Sequence, residues 1–177
     1  MAFLEHTLGI MLHPSSEWEA IRSEKHSFKQ VFLSHVPFLA LIPCISFFIG
    51  VTQVGWTFGS GDPVKLTIQS AIQLCGVAYF ALLAGAFILG EFINWMSRTY
   101  GVEGSAEKRH YAGTALAVYV TTPVFLAGIF GIYPGLWLNV CALGIAGAYA
   151  VYLIYEGLPI MMNISKDRAV MFASSTV

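Results

Sequence analysis

The chain has 177 residues, a length typical of one domain, and 56% of them are hydrophobic while only 11% are charged. Soluble domains carry charge on roughly a quarter of their residues, so this chain lacks the polar surface that a soluble protein needs. A net charge of -1 without a basic stripe argues against a nucleic-acid partner, and the high hydrophobicity excludes intrinsic disorder. The composition therefore indicates an integral membrane protein.

The first thirty residues predict short N-terminal amphipathic helices ahead of the first long apolar window. Apolar residues recur at helical spacing from Phe3 to Leu12, which favours an interfacial or core-capping helix. Pro14 cannot continue that helix, and Ser15 or Ser16 can cap a second one. No signal peptide is predicted, because polar residues interrupt the early apolar stretch and no basic segment precedes it.

Four long windows, at residues 31–51, 66–90, 111–132 and 136–155, contain no Asp, Glu, Lys or Arg and together hold about half of the chain, so all 19 charged residues fall in the other half. A helix rises about 1.5 Å per residue, so each window is long enough to cross a hydrocarbon core of about 30 Å. Barrel strands are excluded because they are about ten residues long and alternate apolar with polar side chains. We predict an all-α integral membrane protein with four transmembrane helices in an up-down bundle, at residues 31–51, 66–95, 111–132 and 136–156.

The basic residues predict how the bundle is oriented. Eight of the nine Lys and Arg residues lie in the N-terminal segment (1–30), in the connection after the second helix, or in the tail (157–177), while Lys65 alone lies on the other side. Short loops that carry positive charge stay in the cytoplasm. We therefore predict a cytoplasmic N-terminus and tail, with Lys65 and the loop 56–61 outside. The short turn from Tyr133 to Gly135 predicts that the third and fourth helices form an antiparallel hairpin.

Small residues recur at a spacing of four in the predicted spans. Such faces let helix backbones approach closely in a lipid environment. We expect them to pack the helices of one chain, and homo-oligomer formation through one such face is the alternative. Examples are Ala86 and Gly90 in the second helix, Gly113 and Ala117 in the third, and Ala142 and Ala146 in the fourth.

Polar side chains within the spans form two candidate groups. The first is an acid–histidine cluster on the cytoplasmic side, where His35 and Glu91 lie at similar depths and Arg98 and Glu156 reach the same interface. A carboxylate at that depth is costly unless it is paired, so Arg98 or His35 is the expected partner of Glu91, and the cluster is a candidate for proton or cation sensing. The second group is an intramembrane polar face, for which hydrogen bonding between helices is the default interpretation: Gln69, Gln73, Thr121 and Thr122.

Three stretches, at 48–61, 121–137 and 155–176, carry a family resemblance. Together they resemble the Yip family of Ypt/Rab-interacting membrane proteins, in its bacterial inner-membrane branch, over nearly the whole chain. The resemblance implies a bacterial inner-membrane location, a cytoplasmic N-terminus and five membrane helices, of which we expect the fifth to be absent from this chain. Eukaryotic relatives bind Rab GTPases, and a bacterium offers no such partner. The motifs that carry the resemblance are Gly50-Val51-Thr52-Gln53-Val54-Gly55-Trp56, Thr121-Thr122-Pro123 and Tyr155-Glu156-Gly157-Leu158-Pro159.

No enzyme signature is visible, because the sequence has no His-Glu-x-x-His pair, no Walker loop, no Gly-x-Ser-x-Gly elbow and no cysteine pairs. We expect a non-enzymatic protein, without cofactor or metal, that organises membrane or scaffolds protein partners. Its partners would be membrane lipids, an unidentified membrane protein or a second copy of the chain. The alternative is a small transporter, channel or lipid-handling protein, which a cavity lined by Gln73 and Thr122 would favour. A third interpretation, a membrane haem or metal protein, rests on His35 alone.

Overall fold

The structure, a computed structural model, describes residues 2–24, 27–56 and 62–177. This part of the chain is helical, apart from an isolated β-bridge between Trp56 and Val64. Four of the described helical segments are long and apolar enough to cross a membrane, which confirms the predicted class of all-α integral membrane protein. The part of the predicted outer loop at 57–61 lies outside the described residues. The four spans are Lys29–Val54, Ile68–Thr99, Ala106–Ile132 and Leu136–Met162.

Seven α-helices make up most of the described chain, and two irregular turns extend two of them. A π-helical turn at Gly50–Val54 prolongs α3, and a 3-10 turn at Gly128–Ile132 prolongs α5. Only three residues separate the end of this 3-10 turn from the start of α6, and α5 and α6 pack directly against each other, as the short turn predicted. The helices are α1 (Ala2–Leu12), α2 (Pro14–Ser23), α3 (Phe28–Ile49), α4 (Ile68–Thr99), α5 (Ala106–Ala127), α6 (Leu136–Met162) and α7 (Lys166–Thr176).

Helix α5 occupies the centre of the bundle. It packs against α3, α4 and α6, and nine consecutive residues, 112–120, are buried. The backbones of α4 and α5 approach closely, because a Cβ atom added at Gly113 would lie 3.1 Å from the carbonyl oxygen of Gly90. Small residues therefore pack helices within the chain at this interface, as expected. Gly85 and Gly144 instead have no atom near the position of a Cβ, and the homo-oligomer through such faces stays a prediction.

The start of α2 differs from the sequence prediction. His13 is the N-cap residue, and no side chain caps the helix. Pro14 occupies the first turn, where the missing backbone N–H costs nothing because that turn has no carbonyl to pair with it. Neither Ser15 nor Ser16 is the cap, and the Ser16 hydroxyl instead donates back to the His13 carbonyl over 3.1 Å.

Helix α7 was not predicted from the sequence. It begins after Ser165 and buries Ala169, Phe172 and Ala173, which share one face at spacings of three and four. The Phe172 ring stacks on the ring of Tyr100 with centroids 5.0 Å apart, and the Tyr100 hydroxyl donates to the Met171 carbonyl. These contacts hold α7 against the end of α4, and α7 also packs against α6.

Candidate functional site

Helices α1 and α2 form a unit that we call the N-terminal hairpin (residues 2–23), and it docks onto one end of the bundle. This end, the N-terminal side, is where α3 and α5 begin and α4 and α6 end. Trp18 of α2 is completely buried, with its ring edge-on to the ring of Tyr119 and the centroids 6.1 Å apart. Gly157 of α6 makes room for the indole, since a Cβ atom at that position would lie 2.6 Å from Trp18 Cε2.

Two tyrosine hydroxyls tether the backbone of the hairpin to the bundle. The Tyr149 hydroxyl of α6 donates to the carbonyls of Ile10 and Met11, at 3.3 and 3.1 Å. The Tyr111 hydroxyl of α5 donates to the Ile21 carbonyl at 2.8 Å. These carbonyls lie at the ends of α1 and α2, where the last turn has no partner within its own helix. Tyr149 therefore satisfies carbonyls that burial would otherwise leave unpaired, while the Ile21 carbonyl accepts from Tyr111 in addition to the backbone N–H of Glu24 at 3.2 Å.

His6 joins the two helices of the hairpin. Its Nδ1 atom bonds to Glu17 and its Nε2 atom lies 2.7 Å from a Glu24 carboxylate oxygen. A neutral imidazole donates from only one nitrogen, so two carboxylate partners fit the doubly protonated imidazolium. Burial lowers the pKa of His6, but the hydrogen bonds and negative charges of Glu17 and Glu24 outweigh it and raise the pKa above its ordinary value of 6.5. The charged form thus holds α1 against α2.

His35 belongs to a second polar contact deeper in the same region. Its Nδ1 atom lies 2.8 Å from the Ser34 hydroxyl and 3.1 Å from the Val31 carbonyl oxygen. Its Nε2 atom forms a hydrogen bond with the Tyr119 hydroxyl at 3.1 Å. The Tyr119 ring also faces the His6 ring, with centroids 6.2 Å apart. Tyr119 therefore links His35 of α3 to the hairpin.

The structure distributes the predicted acid–histidine cluster over separate contacts. Glu91 of α4 is 2.5 Å from Nε2 of His110, a residue of α5 that the sequence analysis did not consider as its partner. Glu156 accepts a hydrogen bond from Ser15 of the hairpin at 3.3 Å, and Arg98 is exposed near the end of α4. The expected pairing of Glu91 with His35 or Arg98 is thus replaced by the pair with His110, because the start of α5 lies beside the end of α4.

The predicted intramembrane polar face does not form hydrogen bonds between helices. Gln69 and Gln73 are exposed on α4 and make no hydrogen bond within the described residues. The hydroxyls of Thr121 and Thr122 donate to carbonyls of their own helix, including Val118 at 3.0 and 3.1 Å. Thr122 is completely buried, so it does not line an open space together with Gln73.

Sequence reasoning missed His6, Glu17, Glu24 and His110. The carboxylates of Glu17 and Glu24 are seven residues apart, a spacing that places them on one face of a helix, and this was the available signal. Their meeting with His6 depends on the tertiary fold of the hairpin, which no local pattern encodes. Within the described ranges, no group of three His, Cys, Asp or Glu side chains is arranged to hold a metal ion.

Comparisons with known proteins identify the family. The model of the Yip1 domain matches residues 8–177. The chain belongs to the Yip1 family. It is also 37% identical, over 175 residues, to the inner membrane protein YohC of Escherichia coli strain K12, an alignment that covers 98% of this chain and 87% of that relative. The YohC protein of E. coli O6:H1 strain CFT073 gives the same identity and coverage. No solved structure matches the chain.

Proposed function

We propose that this Yip1-family protein is a non-enzymatic membrane protein that organises membrane or scaffolds protein partners. The observation that carries the proposal is the use of its buried and half-buried polar groups. His35 bonds to Tyr119, the threonine hydroxyls bond to their own helix, and the hairpin carboxylates bond to His6. These groups stabilise the docked hairpin and the bundle instead of converging on a space that a solute could occupy.

We also propose that the protein lies in the bacterial inner membrane with the N-terminal side of the bundle in the cytoplasm. Similarity to the inner membrane protein YohC supports the location. The basic residues support the orientation, because the connection after α4 carries several and the opposite side carries Lys65. Thiol labelling of Ser105→Cys and Lys65→Cys variants, each in a cysteine-free background, tests it. Only Lys65→Cys is expected to react with an impermeant reagent in spheroplasts; reaction of Ser105→Cys alone would reverse the orientation.

Proximity labelling in the native cell tests the scaffolding role. A biotin ligase fused after Val177 is expected to label a reproducible set of membrane proteins. The matched control is the same ligase on an unrelated four-helix membrane protein at equal expression. A set of labelled proteins that differs from that of the control supports a scaffold. Identical labelling by the two fusions contradicts the scaffolding role and favours the alternative of a transporter, channel or lipid-handling protein.

A further inference from the structure

The two helices of the N-terminal hairpin expose opposite kinds of surface. Helix α1 turns His6, Thr7 and Ile10 inward, while Leu8 and Leu12 are 59% and 70% exposed. The buried Ile10 is common to helices in either medium, but a helix in water exposes its polar side chains and not its leucines. Polar groups facing protein and leucines facing outward are instead the pattern of a helix in lipid, where unpaired polar groups are costly.

Helix α2 provides an internal comparison, since it follows α1 after a single residue. Trp18 and Ile21 are completely buried, whereas the outward face consists of small polar and charged side chains. This is the ordinary pattern of a helix at a water-facing surface. The exposed face of α1 is therefore suited to lipid, whereas the exposed face of α2 is suited to water. The exposed polar and charged residues of α2 are Ser15, Ser16, Glu19, Arg22 and Ser23.

Outside the hairpin, α1 contacts apolar stretches of two spans. Its Ile10 and Met11 carbonyls accept from Tyr149, which lies seven residues before Glu156, the first charged residue toward this end of α6. Seven residues correspond to about 10 Å along a helix axis. His6, near the start of α1, faces Tyr119, which lies nine residues, or about 13 Å along the helix, beyond His110 in α5. Both ends of α1 thus lie beside apolar stretches of the spans.

We propose that α1 is inserted in the lipid leaflet at the N-terminal side of the bundle, with Leu8 and Leu12 in contact with phospholipid acyl chains, while α2 covers it on the aqueous side. Because α1 is helical, most of its backbone is satisfied internally, and Tyr149 donates to two of the carbonyls at its C-terminal end. The insertion stands independently of the scaffolding proposal, since it concerns the medium around α1 and not a protein partner.

Depth-dependent fluorescence quenching of the full chain in liposomes tests this inference. In a cysteine-free background, a bimane probe is placed on Leu8→Cys, on Ser23→Cys as the water-facing control, or on Phe80→Cys as the lipid-facing control. Phospholipids brominated on the acyl chains are expected to quench the Leu8→Cys probe as strongly as the Phe80→Cys probe, and to leave the Ser23→Cys probe unquenched. Aqueous iodide is expected to give the opposite order.

A Leu8→Cys probe that behaves like the Ser23→Cys probe toward both quenchers overturns the proposal. A parallel Leu12→Cys variant guards against local disturbance by the first substitution, because both leucines are exposed and neither supports the core. The two leucine positions are one helical turn apart and are expected to give the same result. Quenching by iodide at both positions places α1 in water. The quenching result does not depend on proximity labelling, so the insertion of α1 can be refuted without refuting the scaffolding role, and the reverse also holds.

Discussion

The close packing of Trp18 against Gly157 provides the sharpest test of how the N-terminal hairpin docks. A Gly157→Ala substitution adds one methyl group, whose carbon would lie 2.6 Å from Trp18 Cε2 and 2.8 Å from Leu116 Cδ2. Both distances are too short for carbon atoms, so the indole must move. Because Trp18 is the largest completely buried side chain of the hairpin, we expect α2 to be displaced from α6 while the bundle itself persists.

The size of the effect follows from two opposing contributions. Overpacking a closely fitted core by one methylene costs about 1–3 kcal/mol, whereas alanine is favoured over glycine inside a helix by about 1 kcal/mol. Gly147→Ala is the matched control, because Gly147 lies in the same helix and has no atom within 4 Å of the added Cβ. The two variants share the helix contribution, so docking of the hairpin in Gly157→Ala should be weaker by about 1–3 kcal/mol than in the control.

Hydrogen exchange of the α2 amides, followed by mass spectrometry, measures this difference. A free-energy change of 1.4 kcal/mol is tenfold in an equilibrium, so exchange in Gly157→Ala should be about 5 to 150 times faster than in Gly147→Ala. Exchange of the α5 amides should differ little between the variants. Equal protection of α2 in the two proteins would refute the claim that Trp18 fits against Gly157.

Two further predictions concern the ends of the chain. The raised pKa of His6 means that its contribution to stability is complete below the ordinary value near 6.5 and is lost as pH rises through the higher folded-state value, so α1 amides should lose protection at alkaline pH after correction for intrinsic exchange. His6→Gln should abolish this pH dependence, His13→Gln should retain it, and a pH response that survives His6→Gln would contradict the assignment. Phe172→Ala should release α7, because truncating a buried phenylalanine costs about 3–5 kcal/mol, and should speed exchange of the α7 amides. The exposed Val170→Ala is the control, and equal exchange in the two variants would show that the ring does not hold α7.

The membrane class of the fold could be predicted because its cause is local. A charge-free window long enough to cross a bilayer is typical of a transmembrane helix. A three-residue turn brings the two helices that it connects into contact. The sequence predicted that small residues such as Gly90 and Gly113 pack helices of one chain, but not that these two meet each other; their small size lets the backbones of α4 and α5 approach closely. Helix α7 was missed because its sequence is short and weakly apolar, and it depends on the ring of Tyr100, which lies far from Phe172 in the sequence.

The candidate site was harder to predict because its contacts are distant in sequence. His35 and Glu91 were correctly placed in helices near the N-terminal side, but depth along a helix does not determine which neighbour a side chain faces. Rotation about the axis decides that, and here it turns Glu91 toward His110 and His35 toward Tyr119. The docking of α1 against α5 and α6 was one of two predicted alternatives, since an apolar segment of eleven residues fits an interfacial helix as well as one that caps a bundle.

Site-directed cross-linking between the hairpin and α6 tests the central claim, the docked hairpin, most directly. In a cysteine-free background, Ser15→Cys combined with Glu156→Cys replaces two side chains whose oxygen atoms lie 3.3 Å apart. A short bifunctional thiol reagent, applied to membranes that contain the protein, should join them within one chain. Ser23→Cys combined with Glu156→Cys, at the far end of α2, is the control and should remain unjoined. Efficient cross-linking of the first pair only is the result that the account predicts, whereas no cross-link at Ser15→Cys, or equal cross-linking of both pairs, would contradict it.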